Sequence, residues 1–165
     1  MDKVETCCGC KGVFEKMSGP THRYMSSAPK CWALYGDILE REYSNPDYFS
    51  VHRLTVDTYA IQHPGSPSSE CISSVALHLL SLHSVFEVKS SLLQASNTIK
   101  TATQSKGLFE WLPPPIPSNQ ITVLNIIKAS NSKEHVDMVW NWAENTWNAW
   151  SCHHDKVSKW YREIW

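Results

Sequence analysis

The stretch SPSSECISSVALHLLSLHSVFEV, residues 66–88, carries the clearest helical signal in the chain and decides its fold class. Ser66 is a suitable N-cap, Pro67 suits the first helical position, and Glu70 places a negative charge in the first turn. Apolar residues recur three and four positions apart, which is the period of a helix with one buried face. They are Val75, Leu79, Leu82 and Val85. We therefore predict an amphipathic helix from residue 67 to about residue 88.

Helical patterns continue on both sides of this stretch. We predict further helices over residues 29–43, 46–63, 90–104, 122–129 and 132–161. Asn45 followed by Pro46 is a typical helix start, and Ser132 is a suitable cap for the last helix. The triple proline within residues 107–117 predicts an extended connector, and no segment shows a strong strand pattern.

Together these patterns predict a mainly α fold, a helical bundle with an N-terminal zinc-knuckle-like extension. The length of 165 residues fits a single domain over residues 1–165. We assign residues 1–29 to a Cys/His metal-binding extension, because this segment has too few apolar residues for a core. Residues 30–165 are the predicted helical bundle, with a proline-rich loop near 107–120.

Composition and charge argue against several classes of function. A net charge of −1 provides no excess of Lys and Arg to neutralise a phosphate backbone, which disfavours nucleic-acid binding. No run approaches the roughly 20 apolar residues of a membrane-spanning helix, and residues 1–5 show no secretory signal. We therefore expect a cytoplasmic protein whose partner is a small-molecule ligand or another protein.

The N-terminal cysteines indicate a metal site. Cys7 and Cys10 form a C-x2-C pair, a spacing that lets two thiolates bind one zinc ion from a single turn. The next suitable ligands downstream are His22 and Cys31, so we predict a structural Cys3His zinc site from these four residues. Cys8 leaves open which of the first two thiols is the ligand. Unliganded thiols and a redox pair are the alternatives.

A second group of candidate ligands lies on the predicted helices. The helical period turns one histidine inward on each of three helices. They are His52, His78 and His154. Three converging imidazoles could bind a second transition metal with an open position for water or substrate. Asp57 is the candidate general base, Asp57 or His63 would orient the ligands, and Tyr59 would line the pocket. The alternative is that each histidine is a core residue with its own hydrogen-bond partner.

Five segments carry a resemblance to a known family. They are C-x2-C at residues 7–10, GPTHRY at 19–24, CWALYG at 31–36, VHRLTVDTYAIQHPG at 51–65 and SVALHL at 74–79. In these segments the chain resembles a bacterial and fungal family known only as a domain of unknown function. The resemblance covers nearly the whole chain and marks the candidate ligands in these segments, together with Asp57 and His63, as signature positions, but it implies no activity. The family pattern near the start reads Cys-Pro-Gly-Cys-Gly, whereas this chain has Cys8 and Lys11 at the second and last positions.

Two functions follow from these candidate sites. The first is a metal-dependent enzyme that acts on a small molecule through the histidine site, with Asp57 and Tyr59 as catalytic residues. The second is a non-catalytic binding or adaptor module with a purely structural zinc, whose contact surface includes Trp111 and the proline-rich loop. Convergence of the three inward histidines separates the two hypotheses, because only histidines that meet can share a metal.

Overall fold

The computed structural model describes residues 3–116 and 120–165, and it confirms the predicted mainly α fold. In these residues a two-stranded antiparallel sheet precedes eight α-helices. The strands are β1 (Val4–Thr6) and β2 (Val13–Glu15), and the helices are α1 (Pro29–Ser44), α2 (Pro46–Phe49), α3 (His52–Gln62), α4 (Ser69–Phe86), α5 (Leu92–Ala102), α6 (Val123–Ile126), α7 (Ser132–Ala149) and α8 (His154–Ile164). Two short 3-10 helices, Thr103–Leu108 and Ser151–His153, follow α5 and α7. None of the described helices has the length and apolarity that crossing a lipid bilayer requires.

The hairpin of β1 and β2 corrects the expectation of a chain without strands. Glu5 pairs with Phe14 at its centre, and the turn between the strands contains the C-x2-C pair. Phe14 is buried, whereas Val4 and Val13 are more than half exposed. Each strand has only three residues, which is too short for the alternation that identifies a strand in a sequence.

The start of α4 lies two residues later than predicted. Ser68, rather than Ser66, accepts the capping hydrogen bond from the Cys71 N–H, so the helix begins at Ser69 and Pro67 stays outside it. The apolar stripe predicted for this helix is buried along its whole length. The stretch from which the fold class was predicted is therefore a helix with a buried apolar face, as expected.

Two predicted helices are each divided in the structure. The predicted helix over residues 46–63 is interrupted at Ser50 and Val51, which separates α2 from α3. The predicted last helix is interrupted at Trp150, whose φ of −88° and ψ of 14° end α7 before a 3-10 turn leads into α8. Neither break contains proline or glycine, so the local sequence carries no signal for it.

The proline-rich connector starts later than predicted. Residues 103–108 form a 3-10 helix, and residues 109–116 have neither helix nor strand. Residues 117–119 of the predicted loop lie outside the described residues. Gln120 and Ile121 come before Thr122, which caps the start of α6.

Helix α3 lies at the centre of the bundle. It packs against α1, α4, α5 and α7, and eight of its eleven residues are buried. Several of these are polar, and a polar group removed from water needs a hydrogen-bond partner. Thr55, Asp57 and Gln62 find partners on other helices, so polar contacts as well as apolar packing hold α3 in place.

Glu42 is the buried anion that joins α1, α3 and α7. Its carboxylate accepts hydrogen bonds from His135 Nε2 at 2.8 Å, His52 Nδ1 at 3.0 Å and the Thr55 hydroxyl at 2.5 Å. Burial raises the pKa of Glu42, but the hydrogen bonds from His135, His52 and Thr55 lower it by more, so its pKa lies below the ordinary value. The ionised carboxylate is therefore part of the folded structure.

Substitution of Glu42 by Gln tests this contact. The amide cannot accept three hydrogen bonds and turns its own donors toward a histidine donor, so we expect the free energy of unfolding at pH 7 to fall by about 3 kcal/mol. A carboxyl whose pKa is lowered by folding contributes stability above its unfolded pKa and loses it as the pH falls through the folded pKa. The difference between wild type and Glu42→Gln should therefore shrink as the pH falls below about 4.3.

Urea unfolding at a series of pH values measures this difference. Glu40→Gln is the matched control, because Glu40 is an exposed glutamate on the same helix and should change the free energy of unfolding little at any pH. A difference between wild type and Glu42→Gln that is the same at pH 7 and pH 3 would contradict the assignment.

Candidate metal centre

Three thiols and one imidazole meet at the junction of the hairpin, α1 and α3. The donor atoms of Cys7, Cys10, Cys31 and His63 all lie within 4.8 Å of one another, and all four residues are buried. Cys31 Sγ lies 4.0 Å from Cys10 Sγ and 3.3 Å from His63 Nε2. In the part of the chain that the structure describes, this is the single group of three or more such ligands that comes together.

The hairpin turn holds the first two thiols. The Cys7 N–H donates to the Gly12 carbonyl at 2.8 Å, and the Lys11 N–H donates back to the Cys7 carbonyl at 3.0 Å. Lys11 has a φ of 62°, in the left-handed region that favours glycine. The Ala28 N–H points at Cys7 Sγ at 3.4 Å, so the backbone before α1 stabilises negative charge on this sulfur.

Two helix ends supply the other two donors. Cys31 lies in the first turn of α1, and His63 directly follows the last residue of α3. His63 Nδ1 lies 2.8 Å from the Tyr59 carbonyl, which can only accept, so Nδ1 carries the proton. The lone pair of His63 is then on Nε2, the atom that faces Cys31. This is the tautomer that a metal-binding histidine needs.

Tyr59 supports two of the four donors. Its ring stacks on His63 with centroids 3.9 Å apart and on Tyr35 with centroids 3.8 Å apart. Its hydroxyl lies 3.4 Å from Cys31 Sγ. Tyr59 is fully buried, so it is placed to position the cluster rather than to line a pocket as predicted.

The thiols of the cluster compete for a single negative charge. Hydrogen bonds from the Cys10 and Cys31 thiols hold the pKa of Cys7 well below its ordinary value. Hydrogen bonding with Cys10 and Cys7, together with burial, raises the pKa of Cys31. A divalent cation would remove this conflict, because it neutralises several thiolates at once.

One family model matches most of the chain by sequence. The model of a family of unknown function, DUF5946, matches residues 5–151. The chain belongs to DUF5946. This confirms the resemblance drawn from the sequence segments, and the match includes all four donors of the cluster. No curated protein and no solved structure matches the chain.

His22 does not belong to the cluster of this DUF5946 chain, although the sequence predicts it as the fourth donor. The imidazole of the cluster is that of His63. His22 Nδ1 accepts a hydrogen bond from the Tyr24 N–H at 3.0 Å, and its ring packs near Trp32. His22 belongs to the loop before α1, and its side chain contacts residues that are close to it in sequence. His63 is 32 residues from Cys31 in sequence, so only the packing of α3 against α1 brings the two together.

Cys8 does not join the other cysteines. Its side chain is exposed on the outer face of the turn, whereas Cys7 is completely buried, so the structure selects Cys7 as the first donor. All six cysteines are free thiols in the structure.

The three inward histidines do not converge, which corrects the predicted second metal site. His52 binds Glu42, His78 binds Asp57 at 2.7 Å, and His154 stacks on Trp147 and donates to its carbonyl at 2.9 Å. They form no common ligand group within the described residues. The helical period correctly turned them toward the bundle, but it carries no information on where along the bundle each one lies.

Asp57 lies six residues before the histidine donor of the cluster and binds a different set of residues. Arg53 donates to it from Nε at 3.1 Å and from Nη2 at 2.7 Å, and His78 Nδ1 and the Ser81 hydroxyl donate as well. Asp57 is fully buried, so it cannot contact a substrate directly. Any chemical role of Asp57 passes through His78.

Gly9 tests the packing of the turn against the histidine donor. A Cβ at Gly9 would overlap the His63 ring and the Ser26 carbonyl oxygen, so Gly9→Ala should push the turn away from the ring. We expect a loss of about 2 kcal/mol in the free energy of unfolding. Zinc affinity should fall with it, as measured by competition with a colorimetric chelator.

Gly36→Ala is the matched control for this prediction. A Cβ at Gly36 meets no atom within 4 Å, and the residue lies on the exposed side of α1. Alanine in a helix interior is favoured over glycine, so this variant should be as stable as wild type or slightly more stable. Equal stability and zinc affinity in Gly9→Ala and Gly36→Ala would show that the turn does not pack on His63.

Proposed function

We propose that Cys7, Cys10, Cys31 and His63 bind one zinc ion and that this zinc is structural. The observation that carries the proposal is the closed donor set. Three thiols and one correctly protonated imidazole complete a tetrahedral site, whereas a catalytic zinc keeps one position open for water or substrate. Soft sulfur donors also favour zinc over the oxygen-loving ions Mg²⁺ and Ca²⁺.

The place of the cluster in the fold explains what the zinc would do. The hairpin buries only one large apolar side chain, Phe14, which is little support for two three-residue strands. Zinc would join the hairpin to α1 and α3, and the binding free energy would become folding free energy. Because Cys7, Cys10 and Phe14 belong to the same buried cluster as α1 and α3, we also propose that the chain folds as a single domain.

We propose that the zinc-stabilised fold serves as a binding module. A cavity of about 390 Å³ lies beside the turn, between α3, α7 and the proline-rich connector, and its lining includes Lys11, Gln62, Pro115 and Trp150. This volume falls within the range of about 300–1,000 Å³ that is common for small-molecule sites. A small-molecule ligand in this cavity would contact the zinc-bound turn and the helices together.

Free cysteines are typical of a reducing compartment, so we propose the cytoplasm as the location of the protein.

Metal content per chain tests the proposed zinc site. We expect one zinc per chain in freshly purified wild type, measured by elemental mass spectrometry without added metal. Cys10→Ser and His63→Ala each remove one donor and should lose the zinc. His22→Ala is the matched control and should keep it, because His22 bonds to its own loop instead.

A chelator separates loss of metal from failure of a variant to fold. Removal of zinc from the wild-type protein should lower its melting temperature by more than 10 °C, since the hairpin then loses its connection to the helices. Zinc retained in His63→Ala but lost in His22→Ala would overturn the donor set. A melting temperature that is unchanged when zinc is removed would overturn the structural role.

A further inference from the structure

The buried Asp57 carboxylate fixes the protonation of His78. Asp57 accepts hydrogen bonds from Arg53, His78 and Ser81. A carboxylate in these contacts is an acceptor only, so His78 Nδ1 carries a proton and donates it at 2.7 Å. The basic lone pair of His78 is then on Nε2, at the opposite side of the ring.

His78 lines a cavity. The side chain is 17% exposed, and it lines a cavity of about 700 Å³ between α4, the loop at Tyr24 and the end of the 3-10 helix after α5. Among the described residues, His78 Nε2 has no hydrogen-bond partner. It is also absent from the buried side-chain atoms that lack a partner, so it is accessible to solvent. The lone pair is therefore available to a molecule in the cavity. By contrast, His52 Nε2 already contacts the Tyr43 hydroxyl at 3.3 Å.

The stability of Asp57 does not require a histidine at residue 78. Arg53 already neutralises its charge with two hydrogen bonds, and an amide side chain at residue 78 could supply the same N–H. What the imidazole adds is a base that faces the cavity. Asp57 would orient that base and stabilise the imidazolium that forms when it accepts a proton.

We propose that Asp57 and His78 form a carboxylate–imidazole pair that hydrolyses small carboxylic esters in this cavity, with His78 as general base and Asp57 as its positioning residue. This inference goes beyond the proposed binding function and rests on other residues than the zinc site. It needs no metal, because the base and its counter-charge both belong to the chain.

The cavity lining indicates the class of substrate. Its apolar part includes Ile72, Leu77 and Phe109, which suit an acyl group. Its charged residues, Glu70 and Lys106, have opposite signs and are exposed. One ammonium group together with one carboxylate in the same lining does not select a phosphate dianion, so a neutral ester is the better match.

Each proton and bond in the proposed reaction is accounted for. His78 Nε2 takes a proton from water while the water oxygen bonds to the carbonyl carbon of the ester. The tetrahedral intermediate then breaks its bond to the alkoxide, which takes the proton back from the His78 imidazolium. Ester and water become carboxylic acid and alcohol, and His78 returns to its starting state.

Hydrolysis of p-nitrophenyl acetate by the zinc-loaded protein tests the proposal. His78→Gln keeps an N–H for Asp57 but removes the base, so kcat/KM should fall by about 100-fold or more. His153→Gln is the matched control and should leave kcat/KM unchanged, because His153 donates to the Pro113 carbonyl on another surface. Circular dichroism and melting temperature establish that both variants are folded.

Three outcomes would overturn the proposal. They are a folded His78→Gln that retains the wild-type rate, an equal loss in His78→Gln and His153→Gln, and a wild-type rate no greater than that of free imidazole at the same concentration. If His78→Gln does not fold, the wild-type protein is treated with diethyl pyrocarbonate and the modified histidines are located by peptide mass spectrometry. Loss of hydrolysis should follow modification of His78, and loss that follows another histidine would overturn the assignment.

Discussion

The polar side chains that α3 buries determine how the other helices pack around it. A central helix surrounded by other helices would ordinarily be apolar, yet α3 has Thr55, Asp57 and Gln62 among its buried residues, with His63 directly after it. Each of these groups costs free energy unless it is paired. The surrounding elements are arranged so that each pairing is made: α1 and α7 meet at Glu42 beside Thr55, α4 meets Asp57, and α7 meets Gln62.

His63, which follows α3, is paired within the candidate metal centre. His63 directs one ring nitrogen to the Tyr59 carbonyl and presents the other to three thiols, so the end of α3 sets the orientation of the imidazole in the cluster. Tyr59 reaches the same cluster through its hydroxyl and stacks on the imidazole. Because the ring, its hydrogen bond and its stacking partner all come from one helix end, a metal there would fix α3 relative to both α1 and the hairpin.

The same helix also separates the proposed metal site from the second candidate for chemistry. Asp57 lies on α3 six residues before His63 and connects to α4 through His78 and Ser81, away from the thiols. The proposed zinc site is closed, whereas His78 lines an open cavity. The two proposals therefore give the metal a role in folding and the imidazole a role in chemistry, and neither role depends on the other.

Local patterns in the sequence are sufficient to predict the helices, but they do not predict which side chains of different helices come into contact. The period of residues 75–85 identifies α4, and the cap at Asn45 identifies the start of α2. Each of these signals is confined to a short stretch of sequence. Three of the four metal donors came from the C-x2-C spacing and the start of α1. The sequence favours His22 as the fourth donor and gives His63 only an orienting role, because nearness along the chain is its guide to nearness in space. The sequence gives no sign that Glu42 meets His135 for the same reason: 93 residues separate them, and they come into contact because α1 and α7 both pack against α3.

X-ray absorption at the zinc edge of the purified protein tests the central claim most directly, because it counts the donors without altering any residue. The structure predicts a first shell of three sulfur atoms at about 2.3 Å and one nitrogen atom at about 2.0–2.1 Å. A first shell of nitrogen and oxygen atoms alone, or one with fewer than three sulfur atoms, would contradict the Cys3His centre.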